Sequence, residues 1–338
     1  MDKDNERRLF EAVYGKGDHW VVTSCESPDF LCERSGKVVL GVEVTQLWHH
    51  ETDARLVNID GYVSSLFDGG SFRHKDDPAN LKVDKIQILP GGNREQAIEV
   101  PAIIREHPRP SDKVAALSNL AATKTMKGRT YAQACPVVDL VVHDASRLFW
   151  FSDFEEFYRP LSVFIRRAEF LSSPFREVFL LTTKGPSSTA VCVPLKANLL
   201  LEDVLILEEL IETSGAFEDE HRAAAAMQVL FGGLRHLGRS SVCACIDGIH
   251  VGLYLGSHIY LWRGSEKVLR DYSRLPDQVP PCRSLEDATH GISDEDIGVS
   301  FAFAQKRPSY KACFPLLYEV QDGLQHVPAA SAAGLSPW

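Results

Sequence analysis

The chain has eight cysteines but no C-x-x-C pair, and it lacks the G-x-x-x-x-G-K-[ST], G-x-G-x-x-G and H-E-x-x-H motifs. No G-x-S-x-G elbow supports a serine nucleophile, although twelve histidines permit many Ser/His or Cys/His pairings. The cysteines, at 25, 32, 135, 192, 243, 245, 282 and 313, are scattered too widely for a zinc knuckle. In an intracellular setting that scatter predicts buried, reduced thiols rather than a disulfide framework. No apolar run approaches the about 18 residues a membrane helix needs. The segment Met1-Asp2-Lys3-Asp4-Asn5-Glu6-Arg7-Arg8 is charged where a secretory leader would be apolar, so the expected location is cytoplasmic. Positive charge is missing altogether from Ala197 to Glu220. Eight carboxylates (Glu202, Asp203, Glu208, Glu209, Glu212, Glu218, Asp219 and Glu220) stand there without one Lys or Arg. They carry most of the net charge of −10, which leaves room for a locally basic groove elsewhere.

What is present describes a globular protein. With 338 residues, 44% hydrophobic and 24% charged, the chain can bury a substantial core and divides more naturally into two domains than one. Apolar positions 9, 10, 13 and 14 predict a helix over residues 3–14, ended by Gly15 and Gly17. Strands are predicted at Trp20 to Ser24, Asp29 to Cys32 and Val38 to Thr45, and a helix from Asp53 to Phe67. Residues 68–112 look like an insertion with one strand at Lys85 to Leu89. A helix over Asp112 to Lys127 then precedes Val137-Val138-Asp139-Leu140-Val141-Val142, whose unbroken apolar character predicts a central strand. A helix from Phe154 to Phe170 and a strand from Glu177 to Thr182 continue the α/β alternation. Beyond residue 196 the pattern changes to a helix pair, 198–213 and 219–237, and a β-meander at 241–262. Further strands are expected at 299–304 and 314–320, and a disordered tail from Val327.

The segment from Ser27 to Thr45 carries the chemistry: S-P-D-F-L-C-E-R-S-G-K-V-V-L-G-V-E-V-T. Pro28 delivers Asp29 into an apolar strand, Ser35-Gly36-Lys37 turns the chain, and the returning strand carries Glu43 between Val42 and Val44. On that strand Glu43 and Thr45 share one face and the valines the other. A carboxylate in so apolar a setting is costly unless it is paired or binds a cation. Two carboxylates on neighbouring strands of a hairpin can share one divalent metal through hard oxygen ligands.

This pattern resembles the PD-(D/E)xK nuclease superfamily, with Pro28-Asp29, a hairpin, and Glu43-x-Thr45 where the family has Glu-x-Lys. The resemblance covers residues 1–145 as an order of elements. It implies a restriction-endonuclease-like α/β fold, a mixed sheet flanked by helices, over residues 1–196, followed by an α+β region over 197–326. It also implies a Mg2+-dependent (or Mn2+-dependent) nuclease acting on nucleic acid, DNA first, in restriction, repair or defence. Asp29 and Glu43 would be the metal ligands, with a first-helix glutamate beside them: Glu11, or Glu6 as the alternative. Thr45 cannot supply the charge of the family's lysine; Thr45 and Gln46 are expected to face the site, with His49 or His50 within one water of it and Arg55, Lys82 and Lys85 as more remote candidates. The rival is a catalytically inactive scaffold of the same fold. It would bind nucleic acid or a protein partner, with the acidic segment 198–220 as interaction surface, self-association face or DNA mimic. The aromatics from Phe149 to Tyr158 could stack bases, but the spacing of Phe154, Phe157, Leu161 and Ile165 favours a core-facing helix.

Overall fold

The structure is a computed structural model and describes residues 2–16, 20–89, 97–105, 108–185, 189–212, 220–247, 250–263, 266–290 and 316–320. The strand expected at 299–304, the tail from Val327, Cys313, Glu218 and Asp219 lie outside the described residues. Among the described residues no helix is long and apolar enough to cross a membrane.

The chain begins with α1 (Lys3–Tyr14), then β1 (Val21–Ser24), β2 (Phe30–Arg34) and β3 (Lys37–Leu47). Next come α2 (Glu51–Asn58), α3 (Tyr62–Phe67), α4 (Asp77–Asn80), and the hairpin β4 (Lys82–Ile88) and β5 (Ile98–Ile104). Helices α5 (Pro110–Thr125) and α6 (Gly128–Ala134) lead to β6 (Val138–Asp144), and α7 (Phe154–Phe164) and α8 (Arg167–Leu171) to β7 (Val178–Lys184). Strand β8 (Thr189–Pro194) runs into the helix pair α9 (Leu195–Glu212) and α10 (Glu220–His236). The rest is β9 (Cys243–Asp247), β10 (His250–Leu255), β11 (His258–Arg263), β12 (Glu266–Asp271), β13 (Cys282–Ser284), α11 (Leu285–Ala288) and β14 (Tyr318–Glu319).

Two helices expected to be continuous are divided. Between α2 and α3 stands Gly61 in a left-handed conformation (φ 68°), which an α-helix cannot contain. Between α7 and α8, Ile165 turns extended and buries its side chain. Insertion 68–112 forms α4 and a separate two-stranded sheet, β4 with β5.

A seven-stranded mixed sheet has the order β1-β2-β3-β6-β7-β8-β14. Strands β3, β6 and β7 are parallel, while β1, β2, β8 and β14 extend the sheet antiparallel at either side. The five-stranded sheet β12-β11-β10-β9-β13 is wholly antiparallel. Helix α1 covers one face of the larger sheet through Phe10, Val13 and Tyr14, and Tyr14 donates to the buried Asp139 of β6 at 2.7 Å. Helix α5 packs against β3 through Val114, Leu117 and Ala121. Phe157, Leu161 and Ile165 belong to the core, as their spacing predicts.

One buried carboxylate joins the two sheets. Glu177 accepts from Lys196 N (2.7 Å) and Ala197 N (3.2 Å) at the start of α9, and from Ser257 Oγ (2.8 Å) in the β10–β11 turn. Burial pushes its carboxyl up to about 7 against the opposing pull of the Val178 and Ser257 donors.

The acidic helix α9 is turned inward. Glu202 accepts from Tyr158 (2.9 Å), Ser162 (2.7 Å) and Arg167 (2.6 Å). Asp203 is held between Arg167 (2.5 Å) and Arg239 (2.6 Å). Glu208 takes Tyr260 (2.8 Å), Trp262 (2.5 Å) and Lys267 (3.0 Å). All three are buried, so these three carboxylates do not belong to the interaction surface expected of segment 198–220. The cations that neutralise them come from other elements, so a window confined to 197–220 could not reveal the pairing. The seven described cysteines are free thiols; Cys32, Cys135, Cys192 and Cys245 are buried, whereas Cys282 is exposed, against expectation, on the edge strand β13.

Candidate metal-carboxylate site on the first hairpin

Strand β3 pairs with β2 so that Val42 stands opposite Phe30; extending that register places Asp29 across from Glu43. The Asp29 carboxylate accepts the backbone N–H of Val44 at 2.8 Å, which locks it against β3 beside Glu43. Gly41 permits the close approach. A Cβ there would stand 2.4 Å from Cys135 Sγ and 2.8 Å from Pro28 Cγ, so only a glycine lets the Pro28 loop and α6 close over the strand. Asp29 is 8% exposed and Glu43 3%, in keeping with the apolar strand read from the sequence.

A positive charge reaches Glu43 from another element. Lys124 of α5 places its Nζ 2.7 Å from Glu43 Oε1, and the exposed Lys127 follows at 3.9 Å. Lys124 continues the buried stripe Val114, Leu117, Ala121 at helical spacing, and so faces β3. A second ammonium, Lys3 of α1, bridges Glu6 (2.8 Å) and Asp29 (3.3 Å). The Glu6 carboxylate raises Lys3 above its ordinary value, outweighing the opposing effect of burial.

Hydrogen bonding at the site is incomplete. Glu43 Oε2 is buried without a hydrogen-bond partner, and Glu6 Oε2 meets the Lys3 ammonium alone. The Tyr131 hydroxyl of α6 is close to Glu43 but out of hydrogen-bonding geometry; burial first, then the Glu43 charge, raise its pKa. Buried polar atoms are seldom left so.

Several expected site residues are elsewhere. The first-helix glutamate at the site is Glu6, one turn before Phe10 on the sheet-facing stripe. Glu11 lies off that stripe and is engaged by Arg7 Nε at 2.8 Å. Thr45 shares the face of Glu43, as alternation requires, but Gln46 takes the opposite face, level with His143 of β6. His49 and His50 are carried beyond the end of β3, where His50 caps α2 by accepting Thr52 N–H at 3.3 Å. Arg55 is bound to Asp77 at 2.6 Å, and Lys82 and Lys85 pair with Asp84 (2.6 Å) and Glu99 (3.1 Å) on the β4–β5 hairpin. Lys3 and Lys124 were the residues not singled out; a lysine in register with an apolar helix stripe is the signal that marks Lys124.

Among the described residues no three His, Cys, Asp or Glu side chains converge as a ready metal cage. The donor set nevertheless suits Mg2+, which is commonly held by one or two carboxylates, with waters and substrate phosphate completing its shell. Asp29 and Glu43 supply hard oxygens, and Glu43 Oε2, buried beside the Tyr131 hydroxyl, makes no hydrogen bond and keeps a lone pair for a cation. Searches against protein-family models, curated proteins and solved structures find no match for this chain.

Proposed function

We propose that the protein is a metal-dependent phosphodiester hydrolase of the PD-(D/E)xK kind, acting on nucleic acid, with DNA as the first substrate to test. The observation that carries this reading is Lys124: its ammonium stands 2.7 Å from Glu43 and supplies from α5 the charge missing at Thr45. Asp29 and Glu43 would hold Mg2+ or Mn2+, and the metal would activate water and offset charge on the scissile phosphate. Asp29 is oriented by the Val44 N–H. Lys124 is positioned to orient the attacking water and to neutralise charge gathering on the phosphoryl oxygens. Glu6 and Lys3 form the outer wall, where Lys3 balances the carboxylates. A cellular role in restriction, repair or defence is consistent with this chemistry.

The test is incubation of the purified protein with plasmid, single-stranded DNA and RNA in Mg2+ and in Mn2+. Cleavage that disappears in Asp29→Ala and Glu43→Ala and falls in Lys124→Ala supports the assignment, and cleavage unchanged in the first two refutes it.

One observation favours the inactive-scaffold reading: both carboxylates already have an ammonium, Lys3 on Asp29 and Lys124 on Glu43. Calorimetry separates the two. A hydrolase takes up Mg2+ saturably and loses it in Glu43→Ala; a scaffold whose carboxylates are permanently paired takes up none.

A further inference from the structure

Beyond the ends of the parallel strands β3 and β6 lies a cavity of about 640 Å3 that the carboxylate site does not use. Small-molecule sites have volumes of about 300–1,000 Å3. The cavity's lining combines two chemistries. Pro78, Leu81, Ile103, Ile104 and Leu148 are apolar. Lys82, Arg105 and Arg147 bring positive charge and His49 and His50 bring imidazoles, against one lining carboxylate, Asp53.

Asp53 is already committed, since it is buried and accepts from Arg105 Nη1 at 2.7 Å and Ser146 Oγ at 3.3 Å. That pairing fixes the Arg105 fork and leaves it further donors. Arg147 has no ion-pair partner among the described residues, and its backbone is left-handed (φ 54°), a conformation non-glycine residues seldom adopt. The turn that presents it is anchored by Asp144, which accepts Leu148 N at 2.8 Å and Phe149 N at 2.7 Å. His50 Nδ1 accepts the Thr52 N–H, so in the neutral ring the proton lies on Nε2, a donor. Guanidinium forks match phosphate oxygens, and apolar lining beside them matches a base.

We propose that this cavity binds a phosphorylated nucleoside unit, with phosphate on Arg147, Arg105 and the histidines and the base on the Ile103–Ile104 side. The unit could be a free mononucleotide or the 5′-phosphorylated end of a nucleic-acid chain, and the assignment does not depend on hydrolysis at Glu43.

The test is calorimetry on the full chain in EDTA with three probes: inorganic phosphate, a nucleoside 5′-monophosphate and a 5′-phosphorylated dinucleotide. The monophosphate is expected to bind with Kd below about 1 mM and about tenfold or more tighter than phosphate. Dinucleotide binding tighter still assigns the site to a chain end, and equal or weaker binding assigns it to a free nucleotide. Arg147→Gly, which also relieves the left-handed backbone, is expected to fold at least as well as the parent and to weaken binding about tenfold. His49→Ala weakens it less, while Glu43→Gln leaves it unchanged and so separates this site from the hydrolytic one. The proposal is overturned by no saturable binding up to about 5 mM, by phosphate binding as tightly as the monophosphate, or by affinity unaltered in Arg147→Gly.

Discussion

Glu202, Asp203 and Glu208 of α9 are buried about as deeply as Glu6, Asp29 and Glu43 around the first hairpin, yet the two sets are satisfied to different degrees. Glu202 and Asp203 meet guanidinium forks and hydroxyls, and Glu208 meets a tyrosine hydroxyl, an indole N–H and the Lys267 ammonium, so every oxygen of the three is engaged. Glu6, Asp29 and Glu43 meet lysine ammoniums, and Glu43 keeps an oxygen with no hydrogen bond. A guanidinium fork satisfies a carboxylate in one geometry, whereas an ammonium on a flexible stem can withdraw and be replaced by another cation. Helix α9 has the greater density of negative charge, but the hairpin has the unfinished coordination. Density of charge and incomplete satisfaction therefore do not coincide in this molecule.

The sharpest way to break this comparison is to remove charge from each set in turn. Asp29→Asn and Glu43→Gln are expected to lower metal-dependent cleavage on the order of 10³-fold, read as kcat/KM on a DNA substrate. Their stability should stay within about 1 kcal/mol of the parent in urea melts. Arg167→Ala, which strips one partner from both Glu202 and Asp203, is expected to cost about 3–5 kcal/mol of stability because it strands buried charge. Added Mg2+ should not restore it; recovery with Mg2+ would erase the distinction between the two sets.

Lys124→Ala tests the same contrast from the other side. Its stem is partly exposed and Lys127 is close by, so the stability loss should be only about 1–2 kcal/mol, and Mg2+ should recover it. Cleavage should fall about 10²-fold, with partial return in Lys124→Arg.

The smallest effect is expected at Asp77, a satisfied carboxylate of the α9 type. Burial works to raise its pKa, but hydrogen bonds from Tyr62 and Arg55 outweigh burial and hold it below the ordinary 3.8. A group depressed in the folded state stabilises above its unfolded value and loses that contribution as pH falls through the folded one. The stability gap between the parent and Asp77→Asn should therefore be constant near neutrality and narrow below about pH 3.8, measured by thermal melts from pH 7 to 3.

The order of helix, three strands, helix and central strand was legible because alternation and unbroken apolar runs are local signals. Glu43 was legible for the same reason, its valine neighbours marking a buried strand. Gly61, which divides α2 from α3, was readable in principle as a breaker but was outweighed by the periodicity of Leu56, Ile59, Val63 and Leu66. The partner of Glu43 was not legible, because Lys124 is 81 residues away and reaches it only once α5 packs on β3. Proximity in sequence pointed instead to His49 and His50. Strand β3 continues to Leu47, about 13 Å past Glu43 at about 3.3 Å per residue, and His49 lies beyond that end.

Gly41 has a meaning apart from the chemistry of the site. A Cβ at this position would overlap the Cys135 thiol on one side and the Pro28 ring on the other, so even the smallest side chain obliges one of them to shift. Packing alone therefore constrains position 41, whatever work the two carboxylates beside it do.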